Sequence, residues 1–406
     1  MPGTREKVSY LDWKPALKAE EVFQRTVSFA YPSSDAAGRL YWVELRPEES
    51  GRYVLVMRTA GGQIVDLTPP PFSVRTRVLE YGGLAYTVNQ DWVIFANFPD
   101  QRLYRLNLTD PPRIQALTLE RNADGSLGKY MDLSVSPDQR WLVFAYEKEP
   151  VGQEPVNTIG VIDLHEAAAP HEAKVLVGGA DFMVAPQFSP DGRQLAWKEW
   201  NHPFMPWDSC RLCLAPFQAG ALDLAERRLV AGSDTSSIRC FEFAENGELI
   251  YAVDEAGQPA DSPRNYWNLH SFREGVSRLI TRELREYGSV CVRDNRVVSV
   301  VCQNGATGLV LVDLENSRIN NLTTPYVSFS RAVFRGAEIF VVGSSADRED
   351  ELVLIGSQGR IEIIRRSSES EVEELDVSNP VAFSFPTRDS QVSHGFFFPP
   401  AIPVMR

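Results

Sequence analysis

The chain has 406 residues, 43% of them hydrophobic and 23% charged, with a formal net charge of −13. This is the composition of a globular protein with a large core, and the length suits two or three ordinary domains or one large repeat fold. The acidic balance excludes non-specific nucleic-acid binding, which needs Lys and Arg set against phosphates.

Residues 1–25 are polar, with a helical tendency at 14–23, and read as an N-terminal arm. From Thr26 the pattern changes to short apolar runs broken by turns. The recurring unit is a strand, a tight turn and a second strand rich in aromatics. Its copies lie at 27–31 with 40–43, 84–88 with 92–95, and 131–135 with 141–146. The fourth copy has the clearest turn, Ser189-Pro-Asp-Gly192, followed by a strand at 195–197. Pro presets φ at its second position and Gly relieves the exit, which fits a type I turn. Further copies lie at 239–243 with 248–253, 290–292 with 296–301, and 331–334 with 337–342. Outer strand pairs follow several of them, at 53–57 with 63–66, 158–163 with 173–176, and 309–313 with 319–322.

The second strands return about every 40–55 residues, the repeat of a four-stranded propeller blade. A single blade cannot bury both its faces, whereas a closed ring of blades can. The expected fold is all-β, a seven-bladed β-propeller over 26–376. Six or eight blades stay open, because the sixth and seventh units carry the weakest marks. A β-sandwich array would show a shorter repeat and no returning turn. The acidic run at 367–376 reads as a solvated edge or linker.

Residues 377–406 hold one more feature, an alternating stretch that folds as a hairpin turning at 388–390. A lone hairpin is marginal in water and cannot hide Phe396, Phe397 and Phe398. Its free edge attracts another strand. The hairpin therefore docks on the ring or belongs to a sheet that the chain does not contain.

Chemical motifs are sparse. No two glycines stand four apart, so the Gly-x-Ser-x-Gly nucleophile elbow is missing. The five histidines make no His-x-x-x-His pair, and there is no phosphate-binding loop. Cys210 and Cys213 have Cys-x-x-Cys spacing, but they fall on a strand, where residues three apart face opposite sides. The five cysteines read as free thiols rather than a disulfide framework. No cofactor and no metal is expected. No apolar run approaches the ~18 residues of a membrane span, and the N-terminus lacks the apolar core of a signal peptide. A cytoplasmic protein without a membrane partner is expected.

Topology points to one face of the ring. The loop after each second strand lies on the same face as the start of the first strand. That face collects Glu80 and Tyr81, the loop after Glu147, the loop 199–207, and the segment from 254 to Trp267. Loops on a rigid scaffold are the usual place for binding. Trp200, Phe204, Met205, Trp207, Tyr266 and Trp267 are candidates for an aromatic patch facing a peptide or protein partner. Packing between blades is the competing reading of these rings. Glu147, Glu149 and Glu199 are candidates for an acidic rim that holds an amine, with solvated loop carboxylates as the alternative. His202 reads as a loop residue, since no nucleophile accompanies it.

With these residues in view, the chain resembles the propeller half of prolyl-oligopeptidase-family serine peptidases. The branch it is most similar to is that of bacterial dipeptidyl-aminopeptidase and acylaminoacyl-peptidase-like proteins. The resemblance begins at Tyr10-Leu-Asp-Trp-Lys-Pro15 and continues through Arg77-Val-Leu-Glu-Tyr-Gly-Gly83 and residues 96–105. It is most specific at Leu195-Ala-Trp-Lys-Glu-Trp-Asn-His-Pro-Phe-Met-Pro-Trp-Asp208, and Asn265-Tyr-Trp-Asn-Leu269 adds to it. Asn201 stands where that pattern has Asp, and Gln139 replaces a turn Gly. The resemblance implies a propeller that covers a Ser-Asp-His hydrolase domain and admits only small peptides. It carries over no catalytic residue, because the part that would hold them is missing. The final hairpin is similar to the strand pair that opens the family's hydrolase domain. A non-catalytic gating propeller is the expected function, with a separate hydrolase subunit as partner. A stand-alone module that binds peptides or proteins is the alternative.

Overall fold

The computed structural model describes residues 26–109, 111–166, 170–254, 266–345, 349–368, 378–388 and 391–399. The expected arm at 1–25, most of the acidic run and the tip of the hairpin lie outside them.

Seven antiparallel sheets follow one another in sequence, each ordered from its first strand to its last. Blade one is built from Ser28–Ser34, Leu40–Arg46, Arg52–Arg58 and Ile64–Asp66, and blade two from Tyr86–Val88, Trp92–Ala96, Leu103–Asn107 and Arg113–Ala116. Blade three holds Leu127–Val135, Trp141–Glu149, Val156–Asp163 and Lys174–Val177. Blade four holds Phe182–Phe188, Gln194–Trp200, Arg211–Gln218 and Arg228–Ala231. Blade five holds Ile238–Phe243, Leu249–Val253, Asn268–Arg273 and Val276–Leu279. In blades six and seven the innermost strand is split, into Glu286–Tyr287 with Cys291–Arg293 and Ser328–Phe329 with Val333–Arg335. These breaks shorten the apolar runs, which is why the sequence marks those two units weakly. Their remaining strands, from Arg296–Gln303 to Ile319–Leu322 and from Glu338–Ser344 to Ile361–Arg366, are regular.

The second strand of a blade is sandwiched between neighbours, so it is buried along its length. Trp92–Ala96 and Leu249–Val253 are buried at every position. Such strands read as continuous apolar runs rather than alternations. The core lies between blades. Trp42 of blade one meets Phe340 of blade seven edge-on, with ring centroids 6.3 Å apart, and Tyr130 and Tyr146 of blade three stack at 5.4 Å.

The Ser-Pro-Asp turns close as expected. At the fourth unit the Ser189 hydroxyl donates to Asp191 at 2.6 Å and accepts from the Gln194 amide at 3.0 Å. Gly192 takes φ +69° there, and Gln139 takes φ +60° at the matching place in blade three. Gln139 thus adopts a left-handed conformation that glycine adopts without strain.

Among the described residues no blade borrows a strand from another. The ring is closed between its first and last blades by side chains and single bonds. The Val27 amide donates to the Ser367 carbonyl at 2.8 Å. Arg58 pairs with Glu362 at 2.6 Å, and Arg335 Nε donates to the Gly38 carbonyl at 2.9 Å. The buried cluster holding Trp42, Val54 and Val56 together with Phe340, Leu352 and Val353 lies across this seam.

Candidate functional site

Strand direction fixes what each face carries. The first strand of a blade leaves one face, the second returns to it, the third leaves again and the fourth returns. The chain therefore enters the ring at residue 28 and leaves it after Arg366 on one face, the face of the loops after the second strands. The hairpin Val381–Pro386 with Val392–Phe397 lies on that face too. A Cβ at Gly305, in the turn after the second strand of blade six, would stand 3.3 Å from the Phe396 ring.

Register sorts the hairpin residues. Val381 pairs with Phe397, and Phe383 with Gly395, so Val381, Phe383, Phe385 and Phe397 share one side. Phe383 and Phe385 stack at 5.7 Å. Phe396 is on the other side, toward Gly305. The first group stays open, with Phe383 and Phe385 close to half exposed and Phe397 at 57%. Phe398, just past the strand, is exposed at 60%.

The loop 201–209 follows the second strand of blade four on this face. Its base is a stack of rings: Phe182 lies 5.1 Å from Trp200 and 4.8 Å from His202. The Asn201 side chain accepts from the Asp181 amide at 2.8 Å, and Asp181 accepts from the His202 amide at 2.9 Å. The Asp208 carboxylate accepts from the Met205 amide at 3.2 Å. So held, the loop presents Phe204, Met205 and Trp207 outward, and Trp207 is 55% exposed. Trp200 is buried, so of the expected aromatic patch it belongs to the packing. Trp267 is half-buried; its indole donates to the Ser237 carbonyl at 3.2 Å, with Arg239 over the ring at 5.5 Å. Tyr266 beside it is half-buried as well.

The expected acidic rim takes another form. Glu147 is buried and accepts from Lys129 at 2.7 Å and from the Leu79 amide at 2.8 Å. Lys129 is also buried, with Glu149 at 2.9 Å and Glu80 at 3.7 Å. Burial alone would lower the Lys129 pKa, but hydrogen bonds to Glu147 and Glu149 outweigh it and hold the pKa above the usual lysine value. Glu199 is buried too, accepting from the Trp197 indole at 2.9 Å and from Arg227. Both carboxylates are internal ion-pair members, not rim groups. For Glu199 the sequence carries a sign of this. Blade one repeats its Trp-x-Glu pattern, and there the Trp42 indole donates to Glu44 at 2.9 Å. Lys129 was invisible to sequence reading, since nothing local marks a lysine as buried.

Of the acidic groups, Glu80 and Glu149 remain accessible, and Tyr81 beside Glu80 is 66% exposed. The turn that presents Glu80 and Tyr81 is tight. Leu79 and Glu80 both have positive φ, and Gly82 has φ +79°. A Cβ on Gly82 would meet the Thr76 carbonyl oxygen at 2.6 Å. Among the described residues no group of three His, Cys, Asp or Glu side chains is set to hold a metal, and no helix is long and apolar enough to cross a membrane. Cys210 and Cys213 are buried free thiols.

A seven-bladed propeller with one loop-rich face and an apolar hairpin on it defines the class. No family model and no curated protein matches the sequence. Solved structures do. A puromycin hydrolase is 25% identical at a TM-score of 0.83, with 97% of this chain and 61% of that chain covered. A Mycobacterium tuberculosis puromycin-hydrolyzing peptidase is 26% identical at a TM-score of 0.85, with 98% and 63% covered. A prolyl endopeptidase shares the fold at 14% identity and a TM-score of 0.67, over 92% and 54%. The chain is similar in fold and sequence to the propeller part of the two puromycin-hydrolysing structures, and it spans about three fifths of their length.

Proposed function

We propose that this chain is the non-catalytic propeller of a prolyl-oligopeptidase-like serine peptidase. It covers a hydrolase domain held outside these 406 residues and limits access to small peptides. The open side of the hairpin carries this reading. Among the described residues nothing covers the apolar strip of Val381, Phe383, Phe385 and Phe397, which is followed by exposed Phe398 and lies on the same face as the loop bearing exposed Phe204, Met205 and Trp207. Patches of this kind mark interaction surfaces. The strip lies on the face where the chain enters and leaves the ring, so a domain joined to the hairpin would sit on the same loops. Glu80 and Glu149 would then look into the space between the two parts.

The test is activity. The chain alone is expected to leave aminoacyl and peptidyl chromogenic substrates intact. Mixed with the α/β-hydrolase domain encoded after or beside it in the same genome, it should restrict that domain to short substrates. Hydrolysis by the chain alone, with labelling by a fluorophosphonate, would overturn the reading. So would a hydrolase domain that cleaves a folded protein equally well with and without the propeller. Capture of an unrelated protein on this face would instead favour a stand-alone binding module.

A further inference from the structure

The opposite mouth of the ring holds a cavity of about 610 Å³, walled by the first strands of blades two to five and by Arg331 of blade seven. That volume lies in the range of small-molecule sites. Its mouth is made by the turns containing Ser136, Pro137, Ser189 and Pro190, far from the hairpin. Three ionisable side chains line it: Asp132, Glu242 and Arg331.

Their bonding is incomplete. Arg331 projects from the break in the innermost strand of blade seven, its side chain 47% exposed, and its nearest carboxylate is Glu242 at 3.9 Å. That distance makes an ion contact but no hydrogen bond. Glu242 Oε2 is buried and lacks a hydrogen-bond partner. Asp132 is better satisfied, since it accepts from the Ala185 amide at 3.0 Å and so ties blade three to blade four. A buried acceptor and a guanidinium left this far apart are unusual, because such groups are ordinarily paired. A simple anion in the cavity would face Glu242 and Asp132, and a simple cation would face Arg331. A small ligand carrying an ammonium and a carboxylate on the same carbon satisfies both at once.

We propose that this cavity binds a free α-amino acid, with the ligand carboxylate on the Arg331 guanidinium and the ligand ammonium on the Glu242 carboxylate. Arg331 accepts carboxylates by a planar two-point contact, and its exposed position lets it turn to one without losing a hydrogen bond. Peptides longer than a dipeptide fit this pair poorly, because their terminal charges stand too far apart. The site is independent of whatever covers the opposite face.

The binding has a pH signature. Burial pushes the Glu242 pKa up to about 7, against the lowering influence of Arg331, the Val292 amide and Arg293. The thiols of Cys240 and Cys291 also sense this carboxylate, and burial raises both, so they stay protonated through the same range. The ligand ammonium requires ionised Glu242. Affinity therefore falls as pH drops below about 7, approaching tenfold per unit.

Calorimetric titration of the purified chain with glycine, L-leucine and L-phenylalanine tests the proposal, alongside leucinamide and N-acetyl-leucine. At least one free amino acid should bind saturably. Each capped leucine should bind at least tenfold more weakly than leucine, which tests both charges on unaltered protein. Arg331→Met should abolish the preference of leucine over leucinamide, and Arg331→Lys should restore part of it. Glu242→Gln should abolish the preference over N-acetyl-leucine and flatten the pH dependence. No saturable heat with any free amino acid up to about 10 mM, or equal binding of leucine and both capped forms, would overturn it.

Discussion

Two ionisable residues, buried Lys129 and half-buried His270, show how strongly single side chains commit this fold. Lys129 is enclosed with Glu147, and the pair fixes the root of the Glu80 turn through the Leu79 amide. Lys129→Met leaves Glu147 buried without its cation, which costs about 3–5 kcal/mol. Chemical denaturation should show that loss, and Lys129→Met with Glu147→Leu should recover much of it. His270 is the second case. Its Nε2 is buried without a hydrogen-bond partner, its ring lies 5.6 Å from Tyr251, and burial lowers its pKa to about 4. The unfolded chain then binds the extra proton at a pKa near 6.5 and the folded chain does not. Stability is whole above about pH 6.5 and is lost as the pH falls toward 4, by about 2 kcal/mol after allowing for partial exposure. His270→Phe should lose less stability than the wild type over that window, and an equal loss in both would remove His270 as the cause.

At the scale of the element, the strands were legible because their chemistry is local. A second strand such as Trp141–Glu149 announces itself by its aromatics and by the Ser-Pro-Asp turn before it. In blades six and seven only the second piece of the split innermost strand was read, at 290–292 and 331–334, because a break at Gly288 or Ser330 isolates the two-residue pieces Glu286–Tyr287 and Ser328–Phe329. The burial of individual candidate residues was not legible in the same way. Exposure depends on what the neighbouring blade places against a residue, and the sequence around Trp200 or Glu199 does not reveal that. Phe204, Met205 and Trp207 of the loop are exposed, whereas Trp200 is buried with its ring stacked on Phe182. The hairpin was read from alternation alone, and its open side gives a clean prediction. Phe383→Ser with Phe385→Ser should leave the melting temperature of the propeller unchanged, since neither ring is buried in it. The same variant should weaken association with a hydrolase domain at least tenfold. A large drop in melting temperature would mean that the hairpin is part of the propeller core.

On the scale of the whole molecule, the two mouths of the ring differ in kind. One carries long loops, both chain ends of the propeller and an uncovered apolar hairpin. The other is made of short turns around a charged cavity. The seam between the first and last blades is packed with Trp42, Phe340 and their buried neighbours, and the Val27 amide bonds the Ser367 carbonyl across it, so one ring can hold both arrangements. The most direct measurement is hydrogen exchange on the chain with and without the α/β-hydrolase domain encoded after or beside it, at concentrations of about 10 μM. Protection should appear in residues 79–83, 201–209 and 381–397, and be absent from the turns at 136–139 and 189–193. No protection at saturating hydrolase domain, or protection confined to the short turns, would contradict a peptidase built by covering the loop-rich face.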